Sequence, residues 1–135
     1  MKFVLDTNII LKALIKDSAV RGIIVGRKHQ FFIPQYAMEE TRRHVQLIEE
    51  KSGLSEGEIN SVLELLLANI RVIPASQILS RWEEAEEVMA AIDKKDTAFL
   101  AAALSLPCDG IWSDDKHLAR QSKVKVWRTK DVIEL

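Results

Sequence analysis

Apolar residues along the chain fall into short β-favouring runs separated by stretches with helical spacing, and this alternation predicts the elements in order. Lys2 to Leu5 reads as a strand, halted by Asp6-Thr7-Asn8, each able to cap the helix that Ile9 to Ile15 continues. Ser18 is expected to cap a second helical stretch, Val20 to Lys28. Phe31 to Ile33 forms the next strand, closed by Pro34, whose fixed φ and missing N–H suit the start of a helix running from about Gln35 to Glu50. Ser52 and Gly53 break that helix, and Ser55 with Glu58 makes a capping box for the next. There Ile59, Val62, Leu63, Leu66 and Leu67 share one face. Arg71 to Ile73 is a third strand, followed by a short helix at Ser76 to Ser80 and another at Trp82 to Ile92. Asp93 caps an alanine-rich helix, Lys94 to Leu104, whose small side chains permit close approach to a sheet. Ile111 to Ser113 and Val124 to Trp127 complete the strands, with Asp114 to Gln121 between them.

Strands alternating with helices imply a three-layer α/β/α domain with a mostly parallel central sheet of about five strands, a Rossmann-type arrangement. Its 135 residues suffice for one domain with its own core. Ligands bind such sheets beyond the carboxyl ends of the strands, where the strand order reverses. Asp6 follows the first strand and Asp115 the fourth, so adjacency of those two strands brings both carboxylates to one crevice.

Composition narrows the chemistry. Hydrophobic residues make up 47% and charged residues 29%, ordinary for a soluble globular chain, and no long uncharged apolar run suggests a membrane span. Asp6 interrupts the apolar start where a signal peptide would continue, and the lone Cys108 cannot form an internal disulfide, so a cytoplasmic location is expected. The net charge of −1 argues against a generic nucleic-acid-coating protein. Committing several acids to a cation leaves the remainder modestly basic, with bases grouped at Arg27 to His29, Arg42 to His44, Lys94-Lys95 and Lys116 to Lys130.

The candidate chemistry rests on Asp6, Glu40, Asp96 and Asp115, each just past a strand or in the first turns of a helix. No histidine or cysteine accompanies them at a zinc-like spacing, so the set reads as an all-oxygen site for Mg2+ or Mn2+ and points to phosphodiester chemistry. Each acid also has a plainer reading. Asp6 could merely cap its helix, Glu40 shares its helix with other solvated acids, and Asp96 lies where a helix dipole favours an acid. The apolar run Ala98 to Leu104, however, implies a buried helix, where an unpaired acid needs a partner. His29, His44 and His117 show no triad spacing and read as surface residues or phosphate contacts.

Four segments in order, Val4-Leu5-Asp6-Thr7-Asn8-Ile9-Ile10, Ile33-Pro34 with Glu40 beyond it, Asp96-Thr97-Ala98-Phe99-Leu100, and Ile111-Trp112-Ser113-Asp114-Asp115, make the chain similar to the PIN domain family, which includes the VapC toxins of toxin–antitoxin pairs. The stretch Asp93 to Asp96 and the Ile111 to Asp115 ending resemble stand-alone PIN proteins more closely than VapC toxins. The resemblance implies a Mg2+- or Mn2+-dependent endoribonuclease with Asp6, Glu40, Asp96 and Asp115 as metal-binding and catalytic residues, an RNA substrate, an antitoxin protein as a candidate partner, and pairing into a homodimer. The family pattern sets a Ser or Thr two residues before the last ligand, which selects Asp115 over Asp114, and strand alternation agrees. Asn8 and Ser113 suit hydrogen bonding that orients the carboxylates. Asp93 and Asp114 are additional candidates, and Arg42 and Arg43 are candidate substrate contacts. Two other classes compete: a non-catalytic PIN-like module binding RNA or protein, and a phosphatase or phosphotransferase, which needs an Asp where Asn8 stands.

Overall fold

The computed structural model describes residues 1–15 and 19–135. Five parallel strands, β1 (Lys2–Leu5), β2 (Gln30–Pro34), β3 (Ile70–Ile73), β4 (Gly110–Trp112) and β5 (Val126–Trp127), form one sheet in the order β3-β2-β1-β4-β5. The chain therefore builds outward from β1 on one side and then returns to its other side. The reversal falls between β1 and β4, where Val4 pairs with Ile111 and Leu5 with Trp112.

Strand alternation sorts the core into two layers. Phe3, Leu5, Phe31, Ile33 and Trp112 face α1 (Thr7–Ile15), α2 (Ala19–Val25), α4 (Val45–Ser52) and α5 (Glu56–Leu67). Val4, Phe32 and Ile111 face α6 (Ala75–Leu79), α7 (Trp82–Met89) and α8 (Thr97–Leu104). Both faces of the sheet are covered, which is why the strands read as continuous apolar runs. Helix α8 is buried from Thr97 through Ala103, and its alanines let it pack on β1, β2 and β4 at once.

Several boundaries differ from the sequence reading for identifiable reasons. The single helix expected over Gln35 to Glu50 is two, α3 (Gln35–Arg43) and α4, broken at His44 (φ −101°, ψ 15°). Ala37 of α3 belongs to one core layer and Ile48 of α4 to the other, so one straight helix cannot bury both. The helix expected from Lys94 opens instead with a 3-10 turn, Lys94–Asp96. Helix α2 ends at Val25, α7 at Met89, and β5 is shorter than Val124 to Trp127. A last helix, α9 (Thr129–Ile133), has no counterpart in the sequence reading. The cap assigned to Ser18 lies outside the described residues. The Ser55–Glu58 capping box is present as expected, and the break expected at Ser52-Gly53 is a left-handed C-cap at Gly53 (φ 73°).

Gly110 opens β4 with φ 148°, and a Cβ there would stand 2.3 Å from the Lys125 carbonyl oxygen and 2.8 Å from the Trp127 ring. Only glycine brings β4 and β5 this close. Gly110→Ala is expected to cost at least about 2 kcal/mol of unfolding free energy. Chemical denaturation checks this, and an unchanged midpoint contradicts it.

Candidate metal centre and active site

Asp6 stands where β1 gives way to α1, one strand away from Ser113 at the end of β4. Its Oδ1 accepts the Ile9 N–H at 3.0 Å, capping α1, and its Oδ2 accepts the Ser113 hydroxyl. The cap anticipated for Asp6 is therefore real, yet the carboxylate also lines a cavity of about 450 Å³. Each carboxylate oxygen has a second lone pair, so capping and ligation are compatible roles. Burial pushes the Asp6 carboxyl up, opposed by the Ser113 and Ile9 hydrogen bonds and reinforced by the charges of Asp115 and Asp114.

The same cavity is lined by Glu40, Asp96 and Asp115, together with Thr7, Asn8, Tyr36, His44, Asp93 and Lys95. Four chain segments thus deliver their acids to the sheet edge at the β1/β4 reversal. Asp96, at the junction of the 3-10 turn and α8, is only 7% exposed, and its Oδ2 is buried with no hydrogen-bond partner. Burial first, then the neighbouring charges of Asp115, Asp93 and Asp6, push its carboxyl up to about 7, with His117 opposing. Asp115 donates its backbone N–H to the Ser113 hydroxyl at 3.0 Å, while its own Oδ1 accepts the His117 backbone N–H at 2.8 Å. Glu40 on α3 accepts the Tyr36 hydroxyl at 2.9 Å. Ser113 is fully buried and bridges Asp6 and Asp115, so one hydroxyl orients two acids.

The remaining candidates divide. Asn8 lines the cavity from an exposed position on α1. Asp93 also lines it while accepting the Lys95 N–H at 3.0 Å as cap of the 3-10 turn. Asp114 does not line it: the carboxylate accepts from Lys12 Nζ at 2.8 Å and from the Thr129 N–H at 2.8 Å, and it is turned toward α9. Burial alone raises the Asp114 carboxyl, but the Lys12 and Thr129 hydrogen bonds bring it below its ordinary value. Arg42 and Arg43 are exposed at the C-terminal end of α3, outside the cavity wall. The sequence marks Lys95 only as one of a basic pair and His117 only as a surface residue or phosphate contact, and it does not mark Tyr36. The His117 ring nitrogen Nδ1 lies 3.1 Å from Asp115 and 3.8 Å from Asp93, a juxtaposition made by the loop after β4 rather than by any spacing. For Tyr36, the available signal is its i, i+4 relation to Glu40.

The donor set suits a hard divalent cation. It consists of oxygens, two of them buried and unpartnered, Asp96 Oδ2 and Thr7 Oγ1. Among the described residues no lysine or arginine forms an ion pair with Asp6, Glu40, Asp96 or Asp115. Among the described residues no three Asp, Glu, His or Cys side chains stand close enough together to hold a metal ion as they are placed. Carboxylates facing one another across a cavity repel, and a shared cation offsets that repulsion.

A family model described as PIN domain matches residues 4–134, so the chain belongs to the PIN domain family, a family of nucleases. Among solved structures the chain is similar to one in the crystal structure of VapBC2 from Rickettsia felis bound to a DNA fragment from their promoter. The TM-score is 0.73 at 14% identity, over 95% of this chain and 98% of that one. That likeness shows the shared fold. No curated protein matches significantly. Among the described residues no helix is long and apolar enough to cross a membrane.

The raised Asp96 carboxyl carries a pH signature. A carboxyl held above its unfolded value stabilises the fold below about pH 4, and that contribution is lost as pH rises toward 7. Asp96→Asn is therefore expected to be more stable than the parent at pH 8 in chelator, by roughly 2 kcal/mol or more, with the gap closing at pH 4. Thermal unfolding at the two pH values checks this; a destabilised variant at pH 8 contradicts it.

Proposed function

We propose that the protein is a divalent-metal-dependent endoribonuclease that hydrolyses RNA phosphodiester bonds, with Asp6, Glu40, Asp96 and Asp115 as its metal-binding and catalytic acids. The observation carrying this reading is the convergence of these four acids on one cavity at the strand reversal, with Asp96 Oδ2 buried and unpartnered. A bound Mg2+ or Mn2+ supplies Lewis acidity toward a phosphodiester oxygen and eases deprotonation of an attacking water. The chain's own groups do the positioning. Ser113 fixes the carboxylates of Asp6 and, through the backbone, the start of the Asp115 loop. Tyr36 holds Glu40, and His117 holds Asp115. Lys95, at the cavity wall, offers a cation to a non-bridging phosphate oxygen.

Hydrolysis by water forms a new P–O bond and breaks the bond from phosphorus to the 3′ oxygen. The products are a 5′-phosphate and a 3′-hydroxyl, the latter taking up the proton. Single-stranded or looped RNA fits an open cavity at a sheet edge better than a stiff duplex. The role of toxin in a toxin–antitoxin pair, with a protein antitoxin as partner, is supported by the fold's likeness to VapBC2, a complex. A homodimer and a cytoplasmic location belong to the same reading. A non-catalytic RNA- or protein-binding module is the competing one, and the joint presence of all four acids weighs against it.

Incubating the purified protein with a panel of structured RNAs in Mg2+, Mn2+ or chelator tests the proposal. Cleavage in either metal, 5′-phosphate ends, and a loss of at least about a hundredfold in Asp6→Asn and Asp96→Asn are expected. Cleavage indifferent to those substitutions contradicts the site, and a gel shift without cleavage favours the binding module.

A further inference from the structure

Beside the acidic cavity lies a second, of about 340 Å³, within the range of small-ligand pockets. Its walls are largely apolar: Ile78 and Leu79 from α6, Trp82 from α7, Ala98 from α8 and the ring of Tyr36 from α3. Leu79 is 65% exposed and Tyr36 46%, so this is an open apolar surface rather than a core void. The charged residues on its rim are Lys94 and Lys95.

Two residues belong to both cavities, Tyr36 and Lys95. The Tyr36 ring forms a wall of the apolar groove while its hydroxyl is bonded to Glu40 in the acidic one. A ligand spanning both therefore presents an apolar face to one side of Tyr36 and an anionic group beside Lys95. A polynucleotide strand has this alternation, with a flat base on each sugar and a phosphate between successive sugars. Bases pack on aromatic and aliphatic walls irrespective of sequence, and lysines at the rim track the backbone.

We propose that the groove walled by Tyr36, Ile78, Leu79 and Trp82 receives a nucleobase adjacent to the scissile phosphate. The inference rests on the nuclease reading and adds a substrate subsite to it. Without a cation the acidic cavity repels a polyanion, so contacts outside the four acids are needed to hold RNA there. The groove and its two lysines supply both components, apolar contact and positive charge.

Fluorescence anisotropy of a labelled hexauridylate in calcium, compared with hexamers carrying one abasic position moved along the chain, tests the proposal. One abasic placement is expected to weaken binding about tenfold, and Leu79→Glu, an exposed position outside the acidic cavity, is expected to erase that difference with an unchanged melting temperature. Equal binding of all the abasic hexamers, or a Leu79→Glu variant that discriminates as the parent does, overturns the subsite. If the parent still cleaves long RNA in magnesium, the nuclease reading survives that result. A parent that neither binds nor cleaves overturns both. A Leu79→Glu variant that loses self-association by light scattering while keeping parental RNA discrimination assigns the groove to a second copy of this chain and overturns the nucleobase assignment.

Discussion

The structure turns on the cost of burying carboxylates at the reversal between β1 and β4. Asp6 is 3% exposed and Asp96 7%, and both are pushed toward the neutral form. Removing a carboxylate from water is tolerated only when hydrogen bonds, protonation or a cation compensate. Asp6 is compensated by a helix-cap N–H and a serine hydroxyl, whereas Asp96 leaves one oxygen with nothing. The unpartnered oxygen supports the proposed cation site, because a purely structural network would satisfy both oxygens.

The surrounding architecture serves to hold these acids in register. Trp112 donates its indole N–H to Thr129, and Thr129 with Lys12 secures Asp114, so the segment after β4 is tied to α1 on one side and α9 on the other. With Asp114 fixed outward, Ser113 and Asp115 face inward, and the serine hydroxyl spans two acids from different strands. The alanine-rich α8 lies close on the sheet and carries Asp96 at its start. Small side chains in that helix thus position an acid as much as they fill a core.

Much of this was legible because the sheet is parallel and buried on both faces. Short apolar runs ended by Asp6, Pro34, Pro74 and Asp114 located the strands, whereas β4 ends at Trp112, so strand alternation does not extend to Ser113 and Asp115. What escaped depends on tertiary demands. The break at His44 arises because Ala37 and Ile48 serve opposite core layers. Helix α9 is five residues long and buries Val132 alone, too little for a periodic signal. Asp114 looked like a spare ligand until Thr129 and Lys12, distant in sequence, claimed it. His117 meets Asp115 through a loop and Lys95 stands at the cavity wall, neither of which spacing alone reveals.

On the proposed reading, these acids bind a divalent cation in exchange for protons held by buried carboxylates. Calorimetric titration of the protein with Mn2+ near pH 6.5, in two buffers of different ionisation enthalpy, measures both quantities together. Saturable binding with net proton release is expected in the parent, with both diminished in Asp96→Asn. Absence of binding, or binding whose heat is independent of the buffer, contradicts it.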